Sequence, residues 1–396
     1  MTAASLEVAD VIERYGALFL ERFGASLSWQ QRRVFADVVA CRTAQLGGHL
    51  EACDACDYQR PAYNSCRNRH CPKCQGRARA AWLDARCLDL LPVPYFHVVF
   101  TLPEELGPLA LQNPRVVYGL LFGAAADTLL EVAADERHLG GRIGVLAVLH
   151  TWGQTLHHHP HLHCIVPGGG LVADDAGWVP CRESFFLPVR VLARVFRGKF
   201  LHGLRAAYRG GQLGLHGRLA SLGEPEAFGC FLDGPARKEW VVYAKRPFGG
   251  PEQVLAYLAR YTHRVAIANR RILSADDGQV RFRYKDYRDG SRSKTMTLDA
   301  VEFLRRFLLH VLPKGFMRIR YFGFLANRVR RASLARCRRF LGSAAPAQGA
   351  PEPVRRELAE PTCPECKSGR MVAVRRLPGQ LATLAALQPA PEWNTS

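Results

Sequence analysis

The pattern of apolar and polar positions predicts both helices and strands in this chain. Apolar residues recur at helical spacing over Val8–Phe23 and Trp29–Cys41, and again over Val189–Arg209. Short apolar or alternating runs bounded by turn residues predict strands, chiefly at Tyr95–Leu102, Arg142–His150, His161–Pro167, Trp240–Lys245 and Val280–Asp286. Hairpin-length connections mixed with helices predict an α+β fold built on an antiparallel sheet flanked by helices.

Three regions follow from how composition changes along the chain. Residues 1–92 combine the two predicted helices with a cluster of cysteines, and residues 93–340 carry the alternating strands and helices. Beyond Leu341 the run SAAPAQGAPEPV is rich in proline and alanine, which is typical of a linker. Residues 341–396 are therefore expected to be a linker and flexible tail that carries a further Cys-x-x-Cys pair.

The charge balance points to a polyanionic partner. The 396 residues include 54 Lys and Arg against 35 Asp and Glu, a formal net charge of +19. Such a charge attracts nucleic acid. The most apolar stretch, Val117–Ala134, is interrupted by Asp127 and Glu131, and the acidic N-terminus is not that of a signal peptide. We expect no membrane partner and a cytoplasmic location.

Two cysteine pairs near the N-terminus predict a structural zinc site. Cys53 and Cys56 form one Cys-x-x-Cys pair, Cys71 and Cys74 form another, and fourteen residues lie between them. Four thiolates at such a spacing are typical of tetrahedral Zn²⁺. The sequence therefore predicts one Zn²⁺ held by these four cysteines.

Further cysteines and a histidine are additional potential zinc ligands. Cys66 and His70 are spare ligands between the two pairs. In the tail, Cys363 and Cys366 have no second pair nearby, and a ligand from elsewhere in the chain would be needed to complete a site.

Histidines are concentrated before and within one predicted strand. Seven of the fourteen lie between His138 and His163. In a strand, His161 and His163 project from one face while Leu162 packs on the other, and Pro160 is expected to mark the strand's beginning. Two imidazoles side by side on a rigid strand form half of a divalent-metal site, the alternative being an exposed histidine-rich loop.

Two tyrosines share one face of a predicted helix. Pro251 favours a helix start, and Tyr257 and Tyr261 follow at i,i+4 spacing. A pair of phenols one turn apart can serve as nucleophiles. The competing interpretation is that both rings are packing residues.

Four sequence strings, taken in order, resemble a known family. SCRNRHCPKCQ, HHHPHLHCIVPGGG, YLARYTHRVAIANRRI and RIRYFGFLANR are similar to the two-tyrosine HUH transposases of the IS91 type, which move insertion sequences by a rolling-circle route. The resemblance covers most of residues 45–340. It implies an HUH endonuclease core behind an N-terminal zinc-binding domain, with cleavage of one DNA strand without ATP through a 5′-phosphotyrosine intermediate.

The resemblance also implies roles for particular residues. His161 and His163 would bind the catalytic Mg²⁺ or Mn²⁺, and Tyr257 and Tyr261 would be the nucleophiles. HUH enzymes usually have a third polar ligand, for which Gln154 is the first candidate and His159 the second; a strand-end capping role for Gln154 is the alternative. The DNA partner would be single-stranded insertion-sequence ends in a bacterial nucleoid. Because the chain has no GxxxxGK[ST] motif, unwinding would fall to a host helicase or the replication machinery.

Basic residues predict DNA-contacting surfaces in three places. From Lys314 to Phe340 there are nine basic residues and no acidic one, interleaved with aromatic rings that could stack on unpaired bases. Further basic residues lie beside the tyrosines and beside the cysteines. The candidate DNA-binding residues are Arg67, Arg69, Lys73, Arg260, Arg264, Arg318, Arg320, Arg328, Arg330 and Arg331.

Three other functions are compatible with part of this pattern. A zinc-containing DNA-binding regulator without catalysis accounts for charge and cysteines but leaves the paired histidines and tyrosines unexplained. A replication initiator or relaxase of the same nuclease superfamily would share the chemistry. A conventional tyrosine recombinase would use Arg260, His263 and Arg264 without metal, so sensitivity to EDTA distinguishes it.

Overall fold

The chain forms two compact units, each assembled from segments that are remote in sequence. The computed structural model describes residues 6–74, 82, 86–173, 176–182, 186–245, 253, 266–287, 289–342 and 361–379. The first unit comprises residues 1–78, 267–311 and 351–396, and the second comprises residues 79–266 and 312–350. This division differs from the consecutive segments 1–92, 93–340 and 341–396 expected from composition, because composition does not show which distant segments pack together.

One part of the first unit is held by an apolar core between helices and a small sheet. Helices α1 (Val8–Phe23) and α2 (Trp29–Ala40) begin at Glu7 and Ser28, each with a reciprocal capping box. The other elements of this part are β9 Ile272–Asp276, β10 Gln279–Asp286, β11 Arg292–Asp299 and α7 Ala300–Leu309. The sheet follows the order β11-β10-β9, and helix α7 packs against α1.

The other part of the first unit is a small antiparallel sheet with a C-terminal strand. Strands β1 (Gly48–Cys53) and β2 (Gln59–Tyr63) form a hairpin, and β13 (Met371–Leu377) pairs with β1 on its other side. The expected tail 341–396 thus contains a strand that belongs to the N-terminal sheet. The expected linker, residues 343–360, and the end of the tail, residues 380–396, lie outside the described residues.

The second unit is built on a five-stranded antiparallel sheet. Its strands are β3 Tyr95–Thr101, β4 Gly144–Trp152, β5 His158–Pro167, β8 Val242–Lys245 and β12 Ile319–Gly323, with a separate hairpin of β6 Gly169–Leu171 and β7 Trp178–Pro180. The spatial order of the five strands is β12-β4-β5-β3-β8.

One face of this sheet packs against helices in a large apolar core, and the other carries a smaller apolar cluster that includes residues of the last helix. This arrangement confirms the predicted α+β class. The helices are α3 Gly107–Gln112, α4 Pro114–Ala134, α5 Val189–Arg209, α6 Pro225–Arg237 and α8 Arg330–Phe340.

Helix α4 is the most apolar helix and is part of this core. By length and hydropathy it could span a membrane, yet 61% of its most apolar window is buried within the protein. Tyr118, Leu121 and Phe122 on this helix are fully or almost fully buried in the main core. Its apolar character is therefore explained by packing between the sheet and α5.

Several sequence predictions needed adjustment at the ends of elements. Strand β5 begins at His158, so Pro160 lies inside the strand and its missing N–H is tolerated there. Strand β6 begins within the triple glycine Gly168–Gly170, and in the basic segment after Lys314 strand β12 precedes a helix that begins at Arg330. Apart from Gln253, the predicted helix that begins at Pro251 lies outside the described residues.

Candidate metal centres and nucleic-acid surfaces

A histidine cluster lies on one face of the central sheet of the second unit. In the β4–β5 pairing, His150 is directly opposite His161, and His163 is opposite Val148. Leu162 points to the other face, where it is fully buried in the main core. The register of two neighbouring strands thus brings three imidazoles together while the residue between two of them anchors the strand.

The three imidazoles are close enough to share one ion. One ligand atom from each of His150, His161 and His163 lies within 4.8 Å of the others. The ring centroids of His150 and His163 are 4.2 Å apart, and those of His161 and His163 are 4.9 Å apart. Three imidazoles on adjacent strands leave room for a water or a substrate oxygen at an ion bound there, which is the arrangement of a catalytic site.

Hydrogen bonds orient two of these rings. His161 Nδ1 is 2.7 Å from the carbonyl oxygen of His159, so Nδ1–H donates and the Nε2 lone pair remains for a metal. His163 Nδ1 is 2.7 Å from His97 Nε2, and the two rings are stacked with an angle of 10° between their planes. A hydrogen-bond partner on the ring nitrogen that does not bind the metal fixes both the tautomer and the direction of a ligating imidazole.

Burial favours the neutral form of His161 and of His163. Desolvation lowers the pKa of His161 to about 4. The pKa of His163, which is 8% exposed, lies well below its usual value, first because of burial and then because of the neighbouring His150 and His161. A neutral imidazole has the free lone pair that a divalent cation requires, so the site is chemically suited to bind one.

The structure brings together the two predicted histidines, adds His150 to them and places His97 against His163. His161 and His163 share a face as expected, and the third imidazole is His150. Gln154, the first candidate for a third ligand, lies in the turn between β4 and β5, and the ring of His159 is 5.3 Å from that of His161. His150 was recognised as the end of a predicted strand, but only the strand register shows that it faces His161.

The cysteines form two groups of four, not the single predicted group. The first contains Cys41, Cys66, Cys71 and Cys74. Here the Sγ–Sγ distance is 3.4 Å between Cys41 and Cys74 and 3.6 Å between Cys66 and Cys74. A tetrahedral ion with Zn–S bonds of about 2.3 Å separates its sulfurs by about 3.8 Å, so the set fits Zn²⁺ with small adjustments.

The second group contains the other predicted pair, Cys53 and Cys56, together with Cys363 and Cys366 of the tail. The prediction of one site from Cys53, Cys56, Cys71 and Cys74 is therefore wrong in its pairing. Each closely spaced pair stays together within one group of four, but the β1–β2 hairpin carries Cys53 and Cys56 to the cysteines that precede β13 instead of to Cys71 and Cys74. Cys66, one of the spare ligands, belongs to the first group.

Several predicted DNA-contacting cations are engaged within the protein. Lys73 Nζ lies 2.6 Å from the Glu7 carboxylate, and Arg318 is only 8% exposed. The Arg320 guanidinium lies 4.3 Å from the ring centroid of Phe122 in the main core. Arg330 lies over the Tyr321 ring at 5.0 Å. These contacts favour structural roles, above all for the buried Arg318.

The remaining predicted cations divide into two sets. Arg67, Arg69, Arg328 and Arg331 are exposed. Arg260 and Arg264, like Tyr257 and Tyr261, lie outside the described residues. Of the aromatic rings expected to stack on bases, Phe316 and Phe324 are 4% and 1% exposed, which places them in the core instead.

Comparison with known proteins agrees with the division into a zinc-binding part and a catalytic part. A family profile described as "Putative transposase" matches residues 144–333, which include the histidine cluster. A second, described as "Transposase zinc-binding domain", matches residues 11–102. The chain thus has the two parts of a transposase with a zinc-binding N-terminal domain.

Two curated relatives specify the family. The chain is 53% identical to "Putative transposase y4qJ" of Sinorhizobium fredii (strain NBRC 101917 / NGR234), over the full length of both. It is 32% identical to "Transposase for insertion sequence element IS801" of Pseudomonas savastanoi pv. phaseolicola, over 74% of this chain and 69% of that one. No solved structure matches the chain significantly. The chain belongs to the IS91 family of insertion-sequence transposases, so it acts on DNA, and its N-terminal domain binds structural zinc.

Proposed function

We propose that this transposase nicks and rejoins single-stranded DNA at insertion-sequence ends by rolling-circle transposition. The observation that supports this most directly is the cluster of His150, His161 and His163 on two paired strands. It lies within the segment matched by the transposase profile and has the neutral, oriented imidazoles that a metal-dependent nuclease needs. We propose that it holds Mg²⁺ or Mn²⁺, with the HUH pair His161 and His163 as two of the ligands.

The chain's own groups then have defined tasks. When bound, the divalent ion supplies charge that stabilises the phosphoryl oxygens of the scissile phosphate. The phenol oxygen of Tyr257 or Tyr261 attacks phosphorus, the P–O3′ bond breaks, and the departing oxygen takes up a proton to become a free 3′-OH. The phenol proton passes to water or a nearby base. The product is a 5′-phosphotyrosine, and attack by another 3′-OH on it reverses the chemistry and rejoins the strands without a nucleotide cofactor.

Two tyrosines give the protein a way to complete strand transfer. One phenol can hold the 5′ end of the donor strand while the second cuts again. Because the DNA must be single-stranded to reach such a site, we propose that unwinding comes from a host helicase or from replication in the nucleoid. Arg260 and Arg264 beside the tyrosines, with the exposed Arg67, Arg69, Arg328 and Arg331, are the proposed phosphate contacts.

An adduct assay tests this proposal. End-labelled single-stranded DNA from the flanks of the element is incubated with the protein, with Mn²⁺ or with EDTA, and covalent complexes are separated on a denaturing gel. We expect an Mn²⁺-dependent adduct that the Tyr257→Phe, Tyr261→Phe double variant does not form, because phenylalanine keeps the ring and removes only the nucleophilic oxygen. Each single variant should be impaired in complete strand transfer, and one of them should keep some cleavage.

A described tyrosine provides a matched control. In the sheet register Tyr243 is opposite Val99, which is opposite His163, so Tyr243 lies on the histidine face and is 52% exposed. Tyr243→Phe should form the adduct normally, and peptide mapping should find the DNA on Tyr257 or Tyr261. An adduct on Tyr243 would show that the nucleophile had been misassigned.

Two other functions remain alternatives with distinct outcomes. A replication initiator or relaxase of the same superfamily would form the same adduct but would cleave a plasmid or phage origin and not the element's ends. A zinc-containing DNA-binding regulator would bind DNA and form no adduct with any metal. The transposase relatives favour transposition over both.

A further inference from the structure

Two segments that are far apart in the sequence meet at a second group of cysteines. Cys53 and Cys56 lie at the turn of the β1–β2 hairpin, and Cys363 and Cys366 precede strand β13. Their ligand atoms all lie within 4.8 Å of one another. The zinc-binding family match ends at residue 102, so it accounts for only half of these ligands.

The sulfur positions fit a tetrahedral ion. The Sγ atoms of Cys53 and Cys366 are 3.7 Å apart, and those of Cys56 and Cys363 are also 3.7 Å apart. Four sulfurs at about 2.3 Å from one Zn²⁺ would be about 3.8 Å apart, and S–S bonds of about 2.05 Å would require much closer pairs. The spacing therefore corresponds to a metal centre more closely than to two disulfides.

Backbone groups around the sulfurs are arranged to support thiolates. The amide of Ala55 donates to Cys53 Sγ at 3.4 Å, and the amide of Gly369 donates to Cys366 Sγ at 3.3 Å. Such bonds stabilise the negative sulfur that a metal requires. Each pair thus lies in a small turn in which a backbone amide donates to a cysteine sulfur. The two turns are separated by some 300 residues of chain.

The two turns are also joined directly to each other. The amide of Asp54 donates to the carbonyl oxygen of Arg370 at 3.0 Å, and the amide of Arg370 donates to Asp54 Oδ1 at 2.7 Å. A Cβ atom on Gly369 would lie 2.4 Å from Cys53 Sγ and 2.7 Å from Ala55 Cβ. Only glycine allows this approach, so the contact between the turns is specified by sequence at both ends.

We propose that Cys53, Cys56, Cys363 and Cys366 bind a second structural Zn²⁺ that fixes the C-terminal strand β13 to the N-terminal hairpin. The strand pairs with β1 along its length, from Gly48 opposite Leu377 to Cys53 opposite Met371. Its burial is slight apart from Met371, so pairing alone gives it little apolar stabilisation. The metal closes a loop that contains most of the chain and holds β13 in place.

Metal content and amide exchange of the full-length protein test this inference. Protein purified under reducing conditions with zinc supplied should contain two Zn²⁺ per chain by elemental analysis. The Cys363→Ser, Cys366→Ser variant should contain one, and its β13 and β1 amides should exchange faster while β4 and β5 amides do not change. The Cys41→Ser, Cys66→Ser variant should also lose one Zn²⁺ but keep the one bound by the second group.

Controls separate loss of a site from general disturbance. Cys87 and Cys230 are exposed and belong to neither cysteine group, so replacing both with serine should leave two Zn²⁺. Gly369→Ala keeps all ligands and should release one of the two Zn²⁺ to a chelator faster than the unchanged chain does.

Two results would overturn the inference. One is a wild-type content of one Zn²⁺ that the Cys363→Ser, Cys366→Ser variant retains. The other is a non-reduced peptide map that shows Cys53 linked to Cys366 and Cys56 linked to Cys363 after anaerobic purification. Neither result depends on nicking activity, so the zinc inference and the proposed function can fail separately.

Discussion

The cysteine region and the histidine sheet both place potential metal ligands close together, but they do so by different means. In the described residues 41–74 and 361–379, the buried apolar side chains are Met371 and three cysteines, Cys41, Cys71 and Cys363. In the histidine sheet, by contrast, all nine residues of β4 are buried. The thiolates of the first region must be held by metal because little else is buried there, whereas the imidazoles of the second are held by packing.

This contrast fits the different roles that we propose for the two kinds of metal site. A segment with a small core gains its folding free energy from the ion, so zinc in the cysteine region is part of the structure. A site preformed on rigid strands can lose and regain its ion without unfolding, which suits a metal that takes part in chemistry. The four predictions that follow test this difference, from the largest expected effect to the smallest.

Zinc removal should unfold one region and leave the other intact. Structural zinc contributes about 10 kcal/mol or more to small cysteine sites, so a strong chelator should release β1, β2 and β13 from protection. Strands β4 and β5 should remain protected because buried apolar side chains, and not an ion, hold them together. Hydrogen exchange monitored by mass spectrometry measures both regions in one sample, and equal loss of protection in the two would refute the contrast.

Removal of one imidazole should abolish chemistry with little effect on folding. His161→Ala or His163→Ala should reduce metal-dependent nicking about 100- to 1,000-fold, since charge stabilisation at the phosphate is lost. DNA binding by remote arginines should change little. His202→Ala, an exposed histidine on α5, is the control and should nick normally. Full nicking by the His161→Ala, His163→Ala double variant would eliminate the metal assignment.

Shortening the side chain of Leu162, which lies between His161 and His163, should destabilise the sheet itself. Leu162 is fully buried in the main core, so Leu162→Ala should lower the free energy of unfolding of this unit by about 2–5 kcal/mol. Leu111 is 37% exposed, and Leu111→Ala should cost less than about 0.5 kcal/mol. Urea denaturation followed by tryptophan fluorescence measures both. A loss for Leu162→Ala no larger than for Leu111→Ala would mean that packing does not hold the strand.

The smallest expected effect concerns His97, which contacts His163 and belongs to β3. His97→Phe keeps an aromatic ring but removes the hydrogen bond to His163 Nδ1, and we expect metal affinity to fall about 10- to 100-fold. Nicking should return at high Mn²⁺, since His97 positions a ligand and touches no substrate. A defect that persists at saturating Mn²⁺ would assign His97 a different role.

Local patterns in the sequence were enough for much of the fold and for part of the site. Helical periodicity placed Val189–Arg209 at its observed bounds, and strand alternation put His161 and His163 on one face with Leu162 on the other. These features depend on neighbours within a few residues, and side-chain direction along a helix or strand follows directly from its geometry. The capacity for zinc was equally visible, because two thiols three residues apart can chelate one ion wherever the turn lies.

Tertiary structure alone decided which elements meet. The register of β4 against β5 brings His150 to His161, and the pairing of β13 with β1 divides the cysteines into two groups of four. Arg318 is buried although it lies in a segment that its basic residues predicted to be an exposed surface, and this burial also depends on tertiary packing. Such outcomes depend on contacts between residues far apart in the chain, and no local period encodes them. The sequence determines which chemical groups are present and which face each occupies, and long-range packing determines which of them share an ion.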